Sequence, residues 1–320
     1  MPSGRPPPMQ TLRAFEAAGR LLSMALAAAE LSVTAGAVSR QIQTLEDDLG
    51  VVLFRRMTRR IALTEEGAAL HQVVSRALAE LTREADRLRT LGSVPRLTIS
   101  TSVSFASKWF APRLHRLMER LPDVDIRLEV SDVNVDLTDG RVDAALRYGT
   151  GAYPGTASER ILEETMSPVC SLDYRGRTGG LAEPSDLTRC TRLNEQRVLH
   201  HDWALPNWEH WFAVAGVAGL RSRGPTLSHG SLIIEAALRG EGVALGRSVL
   251  VAEDVAAGRL VEPFPDIRLP AGRGYDFVYR PSDEDDPRIA ALRDWLKEEV
   301  QEFLAATASV PSNIPSVERR

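Results

Sequence analysis

Four arginines, Arg55, Arg56, Arg59 and Arg60, stand within six residues with no acid among them. Arginine is always charged and presents a planar fork of donors that suits phosphate oxygens. Just upstream, Val38, Ile42 and Leu45 recur at helical spacing and define one inward stripe. Gly36, Arg40 and Gln43 then point away from that stripe, with Ser39 on its flank. Small and hydrogen-bonding side chains on an outward face, followed by a cationic turn, suit contact with a polyanion. A plain helical hairpin followed by a solvated charged turn has the same pattern, and both readings stand on these residues alone.

The elements that must position these residues are short. Leu12, Phe15 and Gly19 share one face of a first helix. Ser23 caps a helix over 24–31, and Ser32 and Val33 break it, with Val33 filling the turn. Thr34 caps the next helix, which runs to about Leu49 and ends at Gly50. Residues 53–56 and 61–64 pair as two strands around the turn. Thr64, Glu65 and Glu66 open a longer helix, with acids at the positive end of its dipole. Leu70, Val74, Ala77, Leu81, Leu88 and Leu91 form an a/d seam along it, so a dimerising linker is favoured over a helix packed on its own domain. Gly92 and Pro95 end this segment.

Beyond it, strands at 97–100, 124–130, 142–148, 169–172, 220–223, 243–245 and 277–279 alternate with helices at 105–121, 232–238 and 289–304. That alternation predicts an α/β domain with a largely parallel sheet and enough chain for two lobes. Pro112 kinks the helix at 105–121. Residues 1–8 and the tail from 307 have no periodicity and read as unstructured.

Charge separates the same regions. Residues 1–64 carry +3 and the remainder −7, for a net −4. A basic head on an acidic body points to a polyanion partner for the head alone. Hydrophobic residues at 43% and charged ones at 26% exclude a disordered chain and a coiled-coil rod. No apolar run approaches the ~18 residues of a membrane span, and no basic-then-apolar leader opens the chain, so a cytoplasmic protein without a membrane partner is expected.

Enzymatic sets are missing their parts. Cys170 and Cys190 exclude a disulfide framework and a four-cysteine zinc site, and read as two thiols in a reducing compartment. Gly240, Gly242 and Gly246 lack the dinucleotide-loop spacing, and no GxSxG elbow occurs. His200, His201 and His210 lack a cysteine partner or an HExxH helix. The acidic run 283–286 reads as a solvated loop. No catalytic residue, metal or cofactor is expected.

The segments LRAFEAAGR (12–20), AAAELSVTAGAVSRQIQTLEDDLGVVLFRR (27–56) and LTEEGAAL (63–70) resemble the LysR-type transcriptional regulators. SFASKWFAPRLHRL (104–117), RVDAALRYGTGAYPG (141–155), EAALRGEGVALG (235–246) and AGRLVEPF (257–264) resemble the subgroup that contains the glycine-cleavage activator and the β-lactamase regulator. The resemblance implies an all-α winged helix-turn-helix head at 9–63 and a linker or dimerisation helix at 64–92. It also implies a two-lobed, periplasmic-binding-protein-like effector domain at 95–306. Its first lobe would span about 95–164 and 266–306, and its second about 165–265.

By the same resemblance, Thr34, Ala35, Gly36, Ser39, Arg40, Gln43, Arg55, Arg56, Arg59 and Arg60 face double-stranded promoter DNA. Thr101, Ser102 and Ser104 lie where a strand meets a helix, a place that can hold a carboxylate. Matched cleft positions are Ser104 for an acid group, Asp136 for an amine, His201, His229, and Tyr275 closing the second-lobe side. Trp203, Trp208 and Trp211 belong to the core more readily than to the cleft. The implied partners are promoter DNA, a small-molecule effector, further copies in a homodimer or homotetramer, and RNA polymerase if the protein activates. Three positions depart from the family pattern: Ala25 replaces a common polar residue, and Ala35 then Gly36 follow the capping Thr34 where Gln is frequent. Base readout then falls on Ser39, Arg40 and Gln43, or the site is relaxed. A solute-binding protein and an enzyme with a regulatory head are the alternatives.

Overall fold

The computed structural model describes residues 6–56, 61–89, 94–137, 140–196, 206–217 and 224–308. Arg59, Arg60, Leu91, His200, His201, Trp203, the strand expected at 220–223 and nearly all of the two expected tails lie outside the described residues. The chain divides into two compact units, with the change between Ser93 and Val94.

The first unit contains α1 (Met9–Leu21), α2 (Met24–Glu30), α3 (Ala35–Leu49), the hairpin β1 (Phe54–Arg56) and β2 (Ile61–Leu63), and α4 (Glu65–Arg89). The caps act where the residue types demand. Ser23 Oγ accepts the Leu26 N–H at 3.3 Å and Thr34 Oγ1 accepts the Ala37 N–H at 3.2 Å. Gly50 ends α3 in the left-handed region at φ +69°. Ala14, Ala18, Ala27 and Ala28 are buried, and their small side chains let helices approach closely around Phe15, Val38, Ile42 and Leu45. Val33 does not fill the turn. The chain reverses through Ser32 at φ +54°, and Val33 is left 43% exposed. The seam of α4 divides: Leu70 and Val74 join the core of the head, whereas Leu81 and Leu88 are more than half exposed.

The second unit runs β3 (Arg96–Thr101), α5 (Val103–Phe105), a π-helical turn Ala106–Phe110, a 3₁₀ turn Ala111–Arg113 and α6 (Leu114–Arg120). The helix expected at 105–121 is therefore composite. Pro112 has no N–H to donate, and the regular α pattern gives way just before it. Next come β4 (Asp125–Val130), β5 (Ala144–Gly149), β6 (Ala157–Val169), α7 (Leu172–Arg177), β7 (Arg192–Glu195), α8 (Trp208–Val214) and β8 (Thr226–Leu227). The unit closes with α9 (Gly230–Leu238), β9 (Val243–Arg247), α10 (Ser248–Ala256), β10 (Leu269–Tyr279) and α11 (Pro287–Ala308).

The strands form one sheet in the order β4-β3-β5-β10-β6-β9-β7-β8. The sheet is mixed. β3 pairs in parallel with β4 and β5, and β7 with β9 and β8, but β10 runs antiparallel to both β5 and β6. β6 is the long strand that joins the halves: it pairs with β10 from Ala157 to Met166 and with β9 from Met166 to Val169. The strand expected at 169–172 is the end of β6 followed by α7, since Ser171 Oγ accepts the Tyr174 N–H and starts a helix. One core gathers Phe105, Trp109, Phe110, Phe277 and Trp295. Another gathers Trp208, Trp211, Phe212 and Phe264.

Candidate functional site

Two places carry exposed or orphaned polar chemistry, one in each unit. In the head, Val38, Ile42 and Leu45 are buried, so α3 presents its opposite side to solvent. Arg40 and Gln43 are exposed on that side, with Gly36 beside them and Ser39 half-buried. Thr34 and Ala35 sit exposed at the helix start. The Arg40 Nε–H donates to the Gly36 carbonyl at 3.4 Å, and the Gln43 amide donates to Asp47 Oδ1 at 2.9 Å. Both are exposed local bonds that an incoming acceptor can replace at small cost.

The hairpin is pinned to the same helix. Glu46 Oε1 accepts the N–H of Leu53 at 2.7 Å and of Phe54 at 3.1 Å. Thr64 Oγ1 donates to the Val52 carbonyl at 2.8 Å and accepts the Gly67 N–H at 2.9 Å. A Cβ on Gly67 would lie 2.2 Å from the Leu53 carbonyl oxygen, so this approach requires glycine. Arg55 is exposed on β1, opposite Ala62, and Arg56 pairs with Ile61. A helix with a polar outer face beside a hairpin bearing arginine is the geometry of a winged helix-turn-helix.

In the second unit, the end of β3 and the start of α9 come together. Ser104 Oγ accepts the Ser231 N–H at 3.0 Å, so the turn after β3 touches the start of α9. His229 Nε2 lies 3.1 Å from Asp132 Oδ2, and Asp132 Oδ1 accepts the Val103 N–H at 3.1 Å. Asp136 lies exposed further along the same loop. The acid that faces His229 is thus Asp132, which no sequence motif marked. Ser102 is half-buried at the start of α5, and Thr101 is fully buried with no partner for its hydroxyl.

Tyr275 is not on the second-lobe side. It sits in β10 between Tyr148 of β5 and Leu162 of β6, fully buried, with its ring 4.2 Å from Phe105 and 5.1 Å from Tyr148. Beside it lie two residues the sequence reading passed over. Arg247, at the end of β9, is buried with its guanidinium 4.8 Å from the Tyr148 ring and 3.9 Å from Glu195. Glu164, on β6, is 3% exposed, and its Oε1 accepts the Ser248 hydroxyl and the Val249 N–H, each at 2.8 Å.

Tyr148 Oη, Glu164 Oε2, Arg247 Nε and Tyr275 Oη meet no partner in good hydrogen-bond geometry, yet Tyr275 lies close enough to Glu164, and Tyr148 to Arg247, to act as side-chain hydrogen-bond partners. Burial pushes the Tyr148 hydroxyl up to about 12, partly opposed by Arg247. Burial also raises the Glu164 carboxyl, against Arg247 and the donors Val249, Ser248 and Tyr275, and raises Tyr275 well above the phenol range. Desolvation lowers Arg247, but Tyr275, Glu195, Tyr148 and Glu164 outweigh it and leave the guanidinium firmly charged. The only sequence signal for Arg247 was a charge closing the wholly buried strand VALGR.

The other sequence candidates resolve simply. Trp208 and Trp211 are core residues, and their indole N–H groups donate to the carbonyls of Leu193 and Ile267. His210 caps α8 together with Asn207. Cys170 and Cys190 are both free and buried. Among the described residues no group of three or more His, Cys, Asp or Glu is placed to hold a metal, and no helix is long and apolar enough to cross a membrane.

A winged helix-turn-helix joined to a two-lobed, substrate-binding-like domain defines a ligand-responsive DNA-binding regulator. Residues 9–68 match the bacterial regulatory helix-turn-helix proteins of the lysR family, and residues 91–301 match the LysR substrate binding domain. The chain belongs to the LysR family of transcriptional regulators. It is 37% identical to the glycine cleavage system transcriptional activator of Escherichia coli K12, over 92% of this chain and 94% of that one. The effector domain of the transcriptional regulator AmpR of Pseudomonas aeruginosa superposes with a TM-score of 0.54 at 27% identity, covering 67% of this chain and 98% of that one. ArgP from Mycobacterium tuberculosis shares the fold with a TM-score of 0.61 at 21% identity, over 91% of this chain and 96% of that one.

Proposed function

We propose that the protein is a cytoplasmic homodimer or homotetramer that binds a dyad-symmetric promoter and responds to a small anionic or amino-acid-like metabolite. The head at 9–63 reads DNA, 64–92 pairs protomers, and 95–306 senses, with a first lobe of about 95–164 and 266–306 and a second of about 165–265. It catalyses no reaction, and if it activates, it meets RNA polymerase at the promoter. Ser39, Arg40 and Gln43 carry base readout, with Thr34, Ala35 and Gly36 at the approach. Arg55, Arg56, Arg59 and Arg60 hold phosphates. Thr101, Ser102, Ser104, Asp136, His201, His229 and Tyr275 serve the effector. Binding acts as a population shift, so the effector must prefer one arrangement of the lobes.

The observation that carries this reading is the outward face of α3 beside a hairpin held by Glu46. The test is a footprint on the DNA upstream of the protein's own gene, with and without a panel of amino and carboxylic acids. Arg40→Ala should abolish the specific footprint. Arg55→Ala should weaken all DNA alike and lower the salt slope by about 0.9 for one lost phosphate contact. An unchanged footprint with Arg40→Ala rejects the placement of the reading helix.

A further inference from the structure

The outer face of α3 extends one turn beyond Gln43. Gly36, Arg40, Gln43 and Asp47 follow one another at spacings of four, three and four, which puts them in one stripe. All four are exposed. Donors and acceptors are sorted along the stripe. The Arg40 guanidinium only donates. The Gln43 amide nitrogen donates to Asp47 Oδ1 at 2.9 Å, which commits one N–H to a carboxylate and fixes which end of the amide is the donor. Gln43 Oε1 and the Asp47 carboxylate both accept. Thr44, the next hydroxyl on the helix, is bonded back to the Arg40 carbonyl at 2.9 Å.

The Gln43–Asp47 bond is itself weak, and the charge that stays beside it decides what can dock. A glutamine alone suits adenine, giving an N–H to N7 and accepting from the N6 amino group. With Asp47 in place, N7 would approach an N–H that a carboxylate already holds, and would stand next to a full negative charge. Guanine brings the acceptors N7 and O6, and thymine brings O4. Cytosine presents its N4 amino group and no acceptor of its own in the major groove.

We propose that Asp47 is a specificity-determining residue of the head: it turns Gln43 from an adenine reader into half of an acceptor pair that reads a cytosine. The pair accepts the N4 proton that base pairing leaves in the major groove. Asp47 acts partly by repulsion, since the acceptor-bearing bases are disfavoured beside its carboxylate. The same charge lies near the phosphates and lowers affinity for DNA of every sequence, so the acid trades affinity for discrimination. This rests on the reading of α3 as the helix that enters the major groove.

The test selects binding sites for the full-length protein from DNA in which the half-sites of the footprinted dyad are randomised, at one fixed salt concentration. Wild-type protein should show one position in each half-site where cytosine is preferred over adenine by about fivefold or more, the lower end of what one base contact gives. Asp47→Ala should reverse that preference to adenine at the same position. Asp47→Asn keeps the shape and loses the charge, and should remove the cytosine preference. Gln43→Ala should abolish discrimination there and leave the other positions as they were. Melting of the free protein should not change, since Gln43 and Asp47 are exposed and outside the core of the head. A wild-type preference for a base other than cytosine at the position that Gln43→Ala alters overturns the assignment. So does an Asp47→Ala protein that binds all DNA more tightly with its base preferences intact, because the acid then acts only on the phosphates. An intact footprint with no position that depends on Gln43 strikes this proposal alone, whereas no footprint at all strikes the reading of the head.

Discussion

Gly36 sits in the first turn of α3, where glycine costs more backbone entropy than other residues. Nothing lies within 4 Å of a Cβ placed there, so no close packing in the head requires it. Gly36→Ala is expected to raise the stability of the head by up to ~1 kcal/mol, read as a higher unfolding midpoint. A fall would contradict the open space around it. If Gly36 instead lets the helix approach DNA closely, the same variant will also weaken specific binding, and the two measurements separate the roles. Gly67 is the contrasting case: its Cβ would collide with backbone, so Gly67→Ala should lower the midpoint and loosen the hairpin. The two glycines look alike in sequence, and only their neighbours tell them apart.

At the level of elements, the wing depends on one carboxylate. Glu46 holds the N–H groups of Leu53 and Phe54, and so fixes the hairpin against the end of α3. Glu46→Ala leaves both donors unmatched and should cost the head about 1–3 kcal/mol. DNA of any sequence should then bind more weakly, because the arginine-bearing hairpin is no longer held in register with α3. Loss of affinity confined to one sequence would argue against this role. The head's elements were readable because each has a local cause: Ser23, Thr34 and Gly50 begin and end helices within a few residues of themselves. β6 was not readable. Its sequence, ASERILEETMSPV, mixes charges with apolar residues because the strand borders different surroundings along its length. β10 was seen only at its end, since Pro270, Gly272 and Gly274 mimic a loop while the strand pairs on both sides.

For the whole molecule, α4 has two occupations. Its first turns bury Leu70 and Val74 in the head, and its later turns leave Leu81 and Leu88 exposed, one heptad apart. The combined change Leu81→Glu and Leu88→Glu removes two apolar contacts worth roughly 1.5–3 kcal/mol each if a partner helix covers them. The expected result is a smaller species by sedimentation at micromolar concentration, with the head still folded, since neither leucine belongs to its core. An unchanged mass would mean that the copies meet elsewhere.

The sequence by itself determined the head, because helix caps, an inward stripe and a run of arginines act over a few residues. It determined the class of the body as well, through motifs that match a known family. The tertiary structure alone decided the buried polar cluster of the second unit. Tyr148, Glu164, Arg247 and Tyr275 come from four different strands, and nothing in their spacing along the chain brings them together. Their shared character comes from removal from water, where a hydroxyl or a charge acquires an energetic weight it lacks at the surface.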